Sequence, residues 1–151
     1  MVPRSKPEET PMTEQAIETP LICSRVSDEQ RMNILPRYAG KHFMLLEGLI
    51  YKVMGEYSEA YQGGYWIMWE LSNGAFYMAP GDRRETFPMT CAGNWYSGTM
   101  TADAAGVVAC LVAFNRLAWH TREERFINLF YGLREWAAEH PEASEIFAAI
   151  D

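Results

Sequence analysis

The stretch GGYWIMWELSNGAFYMAP, residues 63–80, decides the expected fold. Two sets of side chains alternate along it with the two-residue period of a β-strand: Tyr65, Ile67, Trp69 and Leu71 in one set, and Trp66, Met68 and Glu70 in the other. Asn73 and Gly74 follow, and both residue types tolerate the positive φ angles of a two-residue type I′ turn. The sequence therefore predicts a β-hairpin at this position.

A two-residue turn also predicts which side chains share a face of the hairpin. The resulting register places four side chains in the core: Trp69, Leu71, Phe76 and Met78. It pairs Glu70 with Tyr77 on the opposite face, beside Trp66. Aromatic rings next to a carboxylate are typical of binding hot spots, so Trp66, Glu70 and Tyr77 form the predicted contact patch. Two other interpretations stay open, a solvated face that carries Glu70 and a helix that covers the two rings.

Helices and further strands are predicted on both sides of the hairpin. A capping-box spacing from Ser27 to Gln30 predicts a short helix that Pro36 ends. The 3.6-residue period from Phe43 to Tyr61 predicts a long amphipathic helix. Downstream, the patterns predict strands at 85–91 and 95–100, an apolar helix at 102–119, an amphipathic helix at 122–139 and a short terminal helix.

These elements indicate one folded domain after a tail. Thr101 is placed to cap the apolar helix, which we expect at the centre of the fold. The predicted class is α+β: an antiparallel sheet of three to four strands with the long helices packed mainly on one face. Residues 1–24 are rich in Pro and Glu and are predicted to be a flexible tail, and residues 25–151 a single domain.

Composition limits the classes of partner. The chain has 151 residues with 13 basic and 20 acidic side chains, and the net charge of −7 argues against direct DNA binding. The apolar run from Ala104 to Phe114 is shorter than the ~20 residues of a membrane span, so no membrane contact is expected. Three cysteines without a CxxC spacing, and no signal-peptide pattern, predict a cytoplasmic protein.

The search for chemistry predicts no catalytic residues, no metal and no cofactor. The histidines lack the spacing of a zinc site, and the glycines lack both the dinucleotide fingerprint and the P-loop lysine. One enzymatic alternative stays open, a small hydrolase that uses Cys91 or Glu70. His42 would have to serve as the base for Cys91, and the sequence places no base beside Glu70.

Four ordered blocks carry a resemblance that runs from Arg31 to Asp151: RMNILPRYAGKHFMLLEGLIY, GGYWIMWELSNGAFYMAP, YSGTMTADAAGVVACLVAFNRLAW and HPEASEIFAAID. They resemble the ArdB/KlcA antirestriction family of plasmids and other mobile elements. The resemblance implies an α+β fold and a non-enzymatic protein that protects incoming DNA from host type I restriction-modification systems. It implies the type I restriction-modification machinery as the partner, reached directly or indirectly, and leaves the oligomeric state unknown.

The blocks that match the family pattern are Gly64-Tyr65-Trp66, Glu70-Leu71-Ser72-Asn73-Gly74, Phe76-Tyr77, Pro80 and Ala102-Asp103-Ala104-Ala105-Gly106. They indicate membership without assigning a role to any residue, since turns, caps and core packing explain most of them. The first alternative to this function is an acidic DNA mimic that occupies the DNA-binding groove of a restriction enzyme. A net charge of −7 is small for such a mimic.

Overall fold

The computed structural model describes residues 2–3, 20–81 and 84–151. Along these ranges the elements are β1 (Cys23–Arg25), α1 (Arg31–Ala39), α2 (Phe43–Tyr57), β2 (Trp66–Leu71), β3 (Phe76–Pro80), β4 (Thr86–Cys91), β5 (Tyr96–Thr101), α3 (Ala102–Thr121), α4 (Glu124–Glu139) and α5 (Ala143–Ile150). A turn of 3₁₀ helix, Gly40–His42, joins α1 to α2. Most of the predicted tail lies outside the described residues.

The described strands form two antiparallel sheets, one with the order β1-β2-β3 and one that contains β4 and β5. The predicted α+β class is confirmed, although the strands are divided between two sheets. Strand β1 is an addition to the prediction: Cys23 pairs with Leu71 and Arg25 with Trp69. The predicted boundary between residues 24 and 25 falls inside this strand.

The central hairpin differs from the prediction by one residue. Its loop holds three residues, because the Leu71 N–H donates to the Ala75 carbonyl at 2.9 Å and the Gly74 N–H donates to the Leu71 carbonyl at 3.1 Å. Gly74 has a φ of 90°, whereas Asn73 does not have a positive φ. This is a turn followed by a left-handed glycine bulge, and the predicted type I′ turn is wrong. A shift of one residue exchanges the two faces of a strand.

Helix α1 also departs from the expected boundaries. It begins at Arg31, and Gln30 at its N-cap makes no side-chain capping bond, so the predicted capping box is not formed. The Gln30 side chain instead accepts a hydrogen bond from Asn33 at 3.2 Å. Pro36 lies inside α1 and its carbonyl accepts the Gly40 N–H at the end of the helix. The proline therefore removes one donor from the helix without ending it.

Helix α3 lies at the centre of the molecule, as predicted, and covers the outer edge of β3. Thr101 accepts a hydrogen bond from the Ala104 N–H at 3.2 Å, which confirms the predicted cap. The Met78 N–H donates to the Cys110 sulfur at 3.4 Å, and the Cys110 thiol donates to the Met78 carbonyl at 3.5 Å. The outward-facing N–H and carbonyl of Met78 are thus satisfied by a helix side chain.

By length and composition α3 could cross a membrane, but 67% of its most apolar stretch is buried inside the fold. Helices α2, α4 and α5 pack around it. Such burial is the behaviour of a core helix that is apolar on nearly all sides.

Candidate functional site

The register of the hairpin separates the three residues of the predicted contact patch. Glu70 pairs with Phe76, and Trp66 lies on the same face of β2. Tyr77 pairs with Trp69 and lies on the other face. The expectation that Trp66, Glu70 and Tyr77 form one exposed surface is therefore wrong. Whether any of them contacts a partner stays a prediction.

Trp66 is part of the core. Its side chain is almost fully buried, and the indole N–H donates to the Tyr61 hydroxyl at 3.0 Å. The rings of Tyr51 and Tyr61 meet it edge-on, with centroids 5.4 and 5.7 Å away. A tryptophan with its polar atom satisfied inside an aromatic cluster anchors the sheet to the end of α2.

Glu70 connects the sheet to α1. Its Oε2 accepts hydrogen bonds from the Tyr38 hydroxyl and from Arg37, the latter at 3.1 Å. The Tyr38 ring stacks on Phe76 with a centroid distance of 4.7 Å. Burial and the Glu70 carboxylate raise the pKa of Tyr38 to about 12. These contacts give Glu70 a positioning role between two elements.

Tyr77 belongs to a hydrogen-bonded chain that the sequence did not reveal. Its hydroxyl donates to Asp103 Oδ1 at 2.8 Å, and Asp103 Oδ2 lies 2.7 Å from His140 Nε2. The Glu142 N–H donates to His140 Nδ1 at 3.0 Å, which assigns the ring proton to Nε2. These hydrogen bonds join β3, the start of α3 and the corner between α4 and α5.

The chemistry of the hydrogen-bonded series Tyr77, Asp103 and His140 favours a structural role. Both ring nitrogens of His140 are engaged by protein groups, and the residue is buried, so neither nitrogen faces a substrate. Burial, followed by the charge and hydrogen bond of Asp103, raises the pKa of Tyr77 far above its ordinary value. Burial also raises the pKa of the Cys23 thiol, 4.0 Å from the Tyr77 hydroxyl. A thiol with a raised pKa is a poor nucleophile.

The catalytic pair considered from the sequence has other partners. His42 Nε2 lies 2.6 Å from Glu123 Oε2, and the buried Cys91 thiol is near Tyr57, where burial and then Cys91 raise the pKa of the Tyr57 hydroxyl. Glu70 is engaged by Tyr38 and Arg37 as described above. Within residues 2–3, 20–81 and 84–151, no three His, Cys, Asp or Glu side chains converge as metal ligands. The hydrolase alternative therefore gains no support from the geometry.

A groove of about 410 Å³ lies between α3, α4 and the C-terminus. The Val2 side chain, only 3% exposed, packs into this groove. The other lining residues are Leu111, Val112, Asn115, Phe130, Tyr131, Arg134, Ile150 and Asp151. The groove is mainly apolar, and Val2, near the N-terminus, forms part of its wall.

The most exposed large aromatic among the described residues is Trp95, in the turn between β4 and β5. It is 92% exposed and has a left-handed φ of 63°. The sequence pattern placed Trp95 at the start of a strand and gave no sign of this exposure. The preceding Gly93-Asn94 turn was the available signal, since a tight turn can force the next residue out of the ladder.

The family model described as antirestriction protein matches residues 59–151, which include the hairpin, β4, β5 and the last three helices. The chain belongs to the antirestriction protein family.

Relatives in this family match the chain over most of its length. An antirestriction protein KlcA of Escherichia coli is 37% identical over an alignment of 147 residues that covers 93% of this chain and 100% of the relative. A second Escherichia coli KlcA is 39% identical and covers 89% of this chain and 97% of its own. The putative antirestriction protein YubI of Escherichia coli strain K12 is 33% identical and covers 86% and 96%, respectively.

A solved structure shares the fold of this chain. It superposes with a TM-score of 0.80 at 39% identity and covers 91% of this chain and 99% of its own. That work describes a novel fold of the KlcA and ArdB proteins, with antirestriction activity against type I DNA restriction systems in vivo but not in vitro.

Several of the blocks that carry the family resemblance meet where β3 contacts α3. A Cβ built on Gly106 would lie 2.4 Å from the Ala79 Cβ, so only glycine allows this approach. Asn73 donates to the Gly132 carbonyl at 2.9 Å and fixes the hairpin turn to α4. Tyr77 and Asp103 complete the contact. The family blocks are thus largely explained by docking of the hairpin, and a partner surface has to be sought elsewhere.

Proposed function

We propose that this protein protects incoming mobile-element DNA from host type I restriction-modification systems. The observation that carries the proposal is the 37–39% identity to KlcA proteins over nearly the whole chain. The solved structure that superposes on this chain is likewise 39% identical to it. Shared fold alone would not support a shared activity, but identity at this level over full length does.

The proposal includes a non-enzymatic action in the cytoplasm by one domain that follows the N-terminal tail. The engaged nitrogens of His140 and the buried Cys91 support the absence of catalysis. The free cysteines, none of which is paired, are consistent with a reducing compartment. The proposed partner is the type I restriction-modification machinery of the host.

The test is the plating efficiency of unmodified phage on a host with a type I system, with and without the protein. We expect restriction to be relieved by the wild-type chain and not by Gly106→Val, whose side chain would overlap Ala79 and disrupt the fold. An isogenic host without the nuclease controls for effects on phage growth. Equal restriction with and without the wild-type protein would contradict the proposal.

A DNA mimic is the second candidate, favoured by one feature of the charge distribution. Residues 135–151 hold five acidic side chains, Glu135, Glu139, Glu142, Glu145 and Asp151, and no Lys or Arg. A mimic would inhibit the purified restriction enzyme, and its binding would weaken steeply with salt. Inhibition in cells but not of the purified enzyme would argue against it, and antirestriction activity in vivo but not in vitro is what is described for KlcA and ArdB.

A further inference from the structure

We propose that Trp95 is the anchor of the protein's contact with a basic protein surface of the type I restriction machinery. This inference rests on the proposed function and names the surface through which it acts. It is carried by the exposure of the Trp95 indole, by the way the turn is held, and by the charges around it.

The exposure of Trp95 is combined with an unusual backbone. Tryptophan is rarely found with a left-handed φ such as the 63° seen here, because its Cβ crowds the following carbonyl. Glycine or asparagine would fit this position with less strain. The fold holds a large apolar ring in water, 92% exposed, on a backbone that does not favour it.

The neighbouring side chains fix this turn in place. Asn94 donates to the carbonyls of Ala148 and Ala149, at 3.2 and 2.7 Å, at the C-terminal end of α5. Its other side-chain atom, Oδ1, accepts the Tyr96 N–H at 3.0 Å. The indole therefore projects from a braced turn, and little conformational freedom of the backbone is lost when it binds.

Acidic side chains outnumber basic ones on and around the elements next to Trp95. Between Glu85 and Asn115 the chain has no Lys or Arg, and α5 also has none. Along β5, Tyr96 donates to the Glu145 carboxylate and Thr101 to that of Glu142.

One cation lies at the same C-terminal end of α5 as the Trp95 turn. Arg134 reaches it from α4, where the guanidinium lies over the Phe147 ring and pairs with Asp151 at 3.5 Å. Asp151 offsets the charge of Arg134, so the acidic excess along β5 comes from Glu142 and Glu145.

The exposed indole and the acidic side chains near it together indicate the kind of partner. An acidic face repels nucleic acid and anionic lipid, so the indole is not placed for either. Tryptophan is among the residues most enriched in protein–protein hot spots, where it fills an apolar recess inside a polar rim. Proteins that handle DNA present Lys and Arg on their surfaces. The complementary partner is therefore an apolar recess bordered by basic side chains on a restriction subunit.

The first experiment uses Trp95→Gly in the full-length chain. The substitution removes the indole and relieves the left-handed strain, so the melting temperature should stay equal or rise. Protection of unmodified phage in the type I host should fall by about tenfold or more, as loss of a hot spot implies. The control is Trp119→Ala, which truncates another tryptophan, 45% exposed on α3, and should protect like the wild type.

The second experiment places a photo-crosslinking phenylalanine at position 95, and at position 119 as the control, in cells that carry the type I system. We expect an adduct from position 95 only, on a restriction subunit, in a peptide that contains Lys or Arg beside apolar residues. No adduct above the control, or one on nucleic acid, would overturn the assignment.

The outcomes separate the inference from the function that it rests on. If the wild-type chain protects and Trp95→Gly protects within about twofold of it, the Trp95 contact is wrong and the proposed function stands. If the wild-type chain gives no protection, the proposed function is wrong and the Trp95 contact with it.

Discussion

At the scale of single residues, the two tryptophans of β2 have opposite surroundings, and the sequence pattern assigned them the wrong way round. Trp66 is 2% exposed with its indole N–H satisfied, whereas Trp69 is half-buried and stacks on Tyr77 at 6.5 Å. We expect Trp66→Ala to lower the free energy of unfolding by about 3–5 kcal/mol, as large buried aromatics do, and Trp69→Ala to cost less.

Urea denaturation of the two variants at pH 7 measures the difference. A larger cost for Trp69→Ala would fit the register of a two-residue turn, which places Trp69 in the core, and equal costs would mean that both faces of β2 are buried alike. The comparison therefore tests the register itself.

The raised pKa of the Tyr38 hydroxyl leads to a prediction about how stability depends on pH. Its pKa is raised from 10.0 to about 12 by burial and by Glu70, so the folded state keeps a proton that the unfolded chain releases. The stability that this group contributes is fully present below about pH 10 and is lost as pH rises toward 12. Tyr38→Phe should therefore lose less stability than the wild type between pH 9 and 11 in thermal melts. Parallel pH profiles for the two proteins would contradict the assignment.

At the scale of elements, most helices and strands could be predicted, because each has a local pattern of its own. The cap at Thr101 and the apolar character of α3 were sufficient to place that helix at the centre. Strand β1 could not be predicted, since three residues carry too little pattern and its pairing partner lies about fifty residues away. The hairpin register failed because Asn-Gly suits both a two-residue turn and a bulged three-residue loop.

The contact between α3 and β3 gives a prediction for two glycines. A Cβ at Gly106 would lie 2.5 Å from the Met78 carbonyl oxygen, a backbone atom that cannot move aside easily, whereas a Cβ at Gly48 in α2 meets no atom within 4 Å. Gly106→Ala should lower the free energy of unfolding by about 1–3 kcal/mol through overpacking. Gly48→Ala should raise it by up to about 1 kcal/mol through helix propensity.

Chemical denaturation checks both variants, and each serves as the control for the other. A gain of stability from Gly106→Ala would show that α3 does not approach β3 so closely.

At the scale of the whole molecule, the candidate contact surface could not be predicted from sequence. The sequence gives the net charge of −7, but the position of Glu142 and Glu145 along β5 depends on how α5 packs against that strand. The exposure of Trp95 likewise depends on Asn94 reaching the end of α5, about fifty residues away in the chain. Composition predicts which partners are excluded, whereas the position of a contact is a property of the tertiary structure.

The two ends of the chain meet in the groove between α3 and α4, and this leads to the last prediction. Val2 lies there with Leu111, Phe130 and Ile150, and full burial of a valine is worth about 1.5–3 kcal/mol. Val2→Ser should therefore lower the melting temperature by about 2–4 °C for each kcal/mol lost in a domain of this size. Met32→Ser, at a side chain 88% exposed on α1, should leave the melting temperature unchanged. If calorimetry gives the same melting temperature for both variants, Val2 does not stabilise the groove.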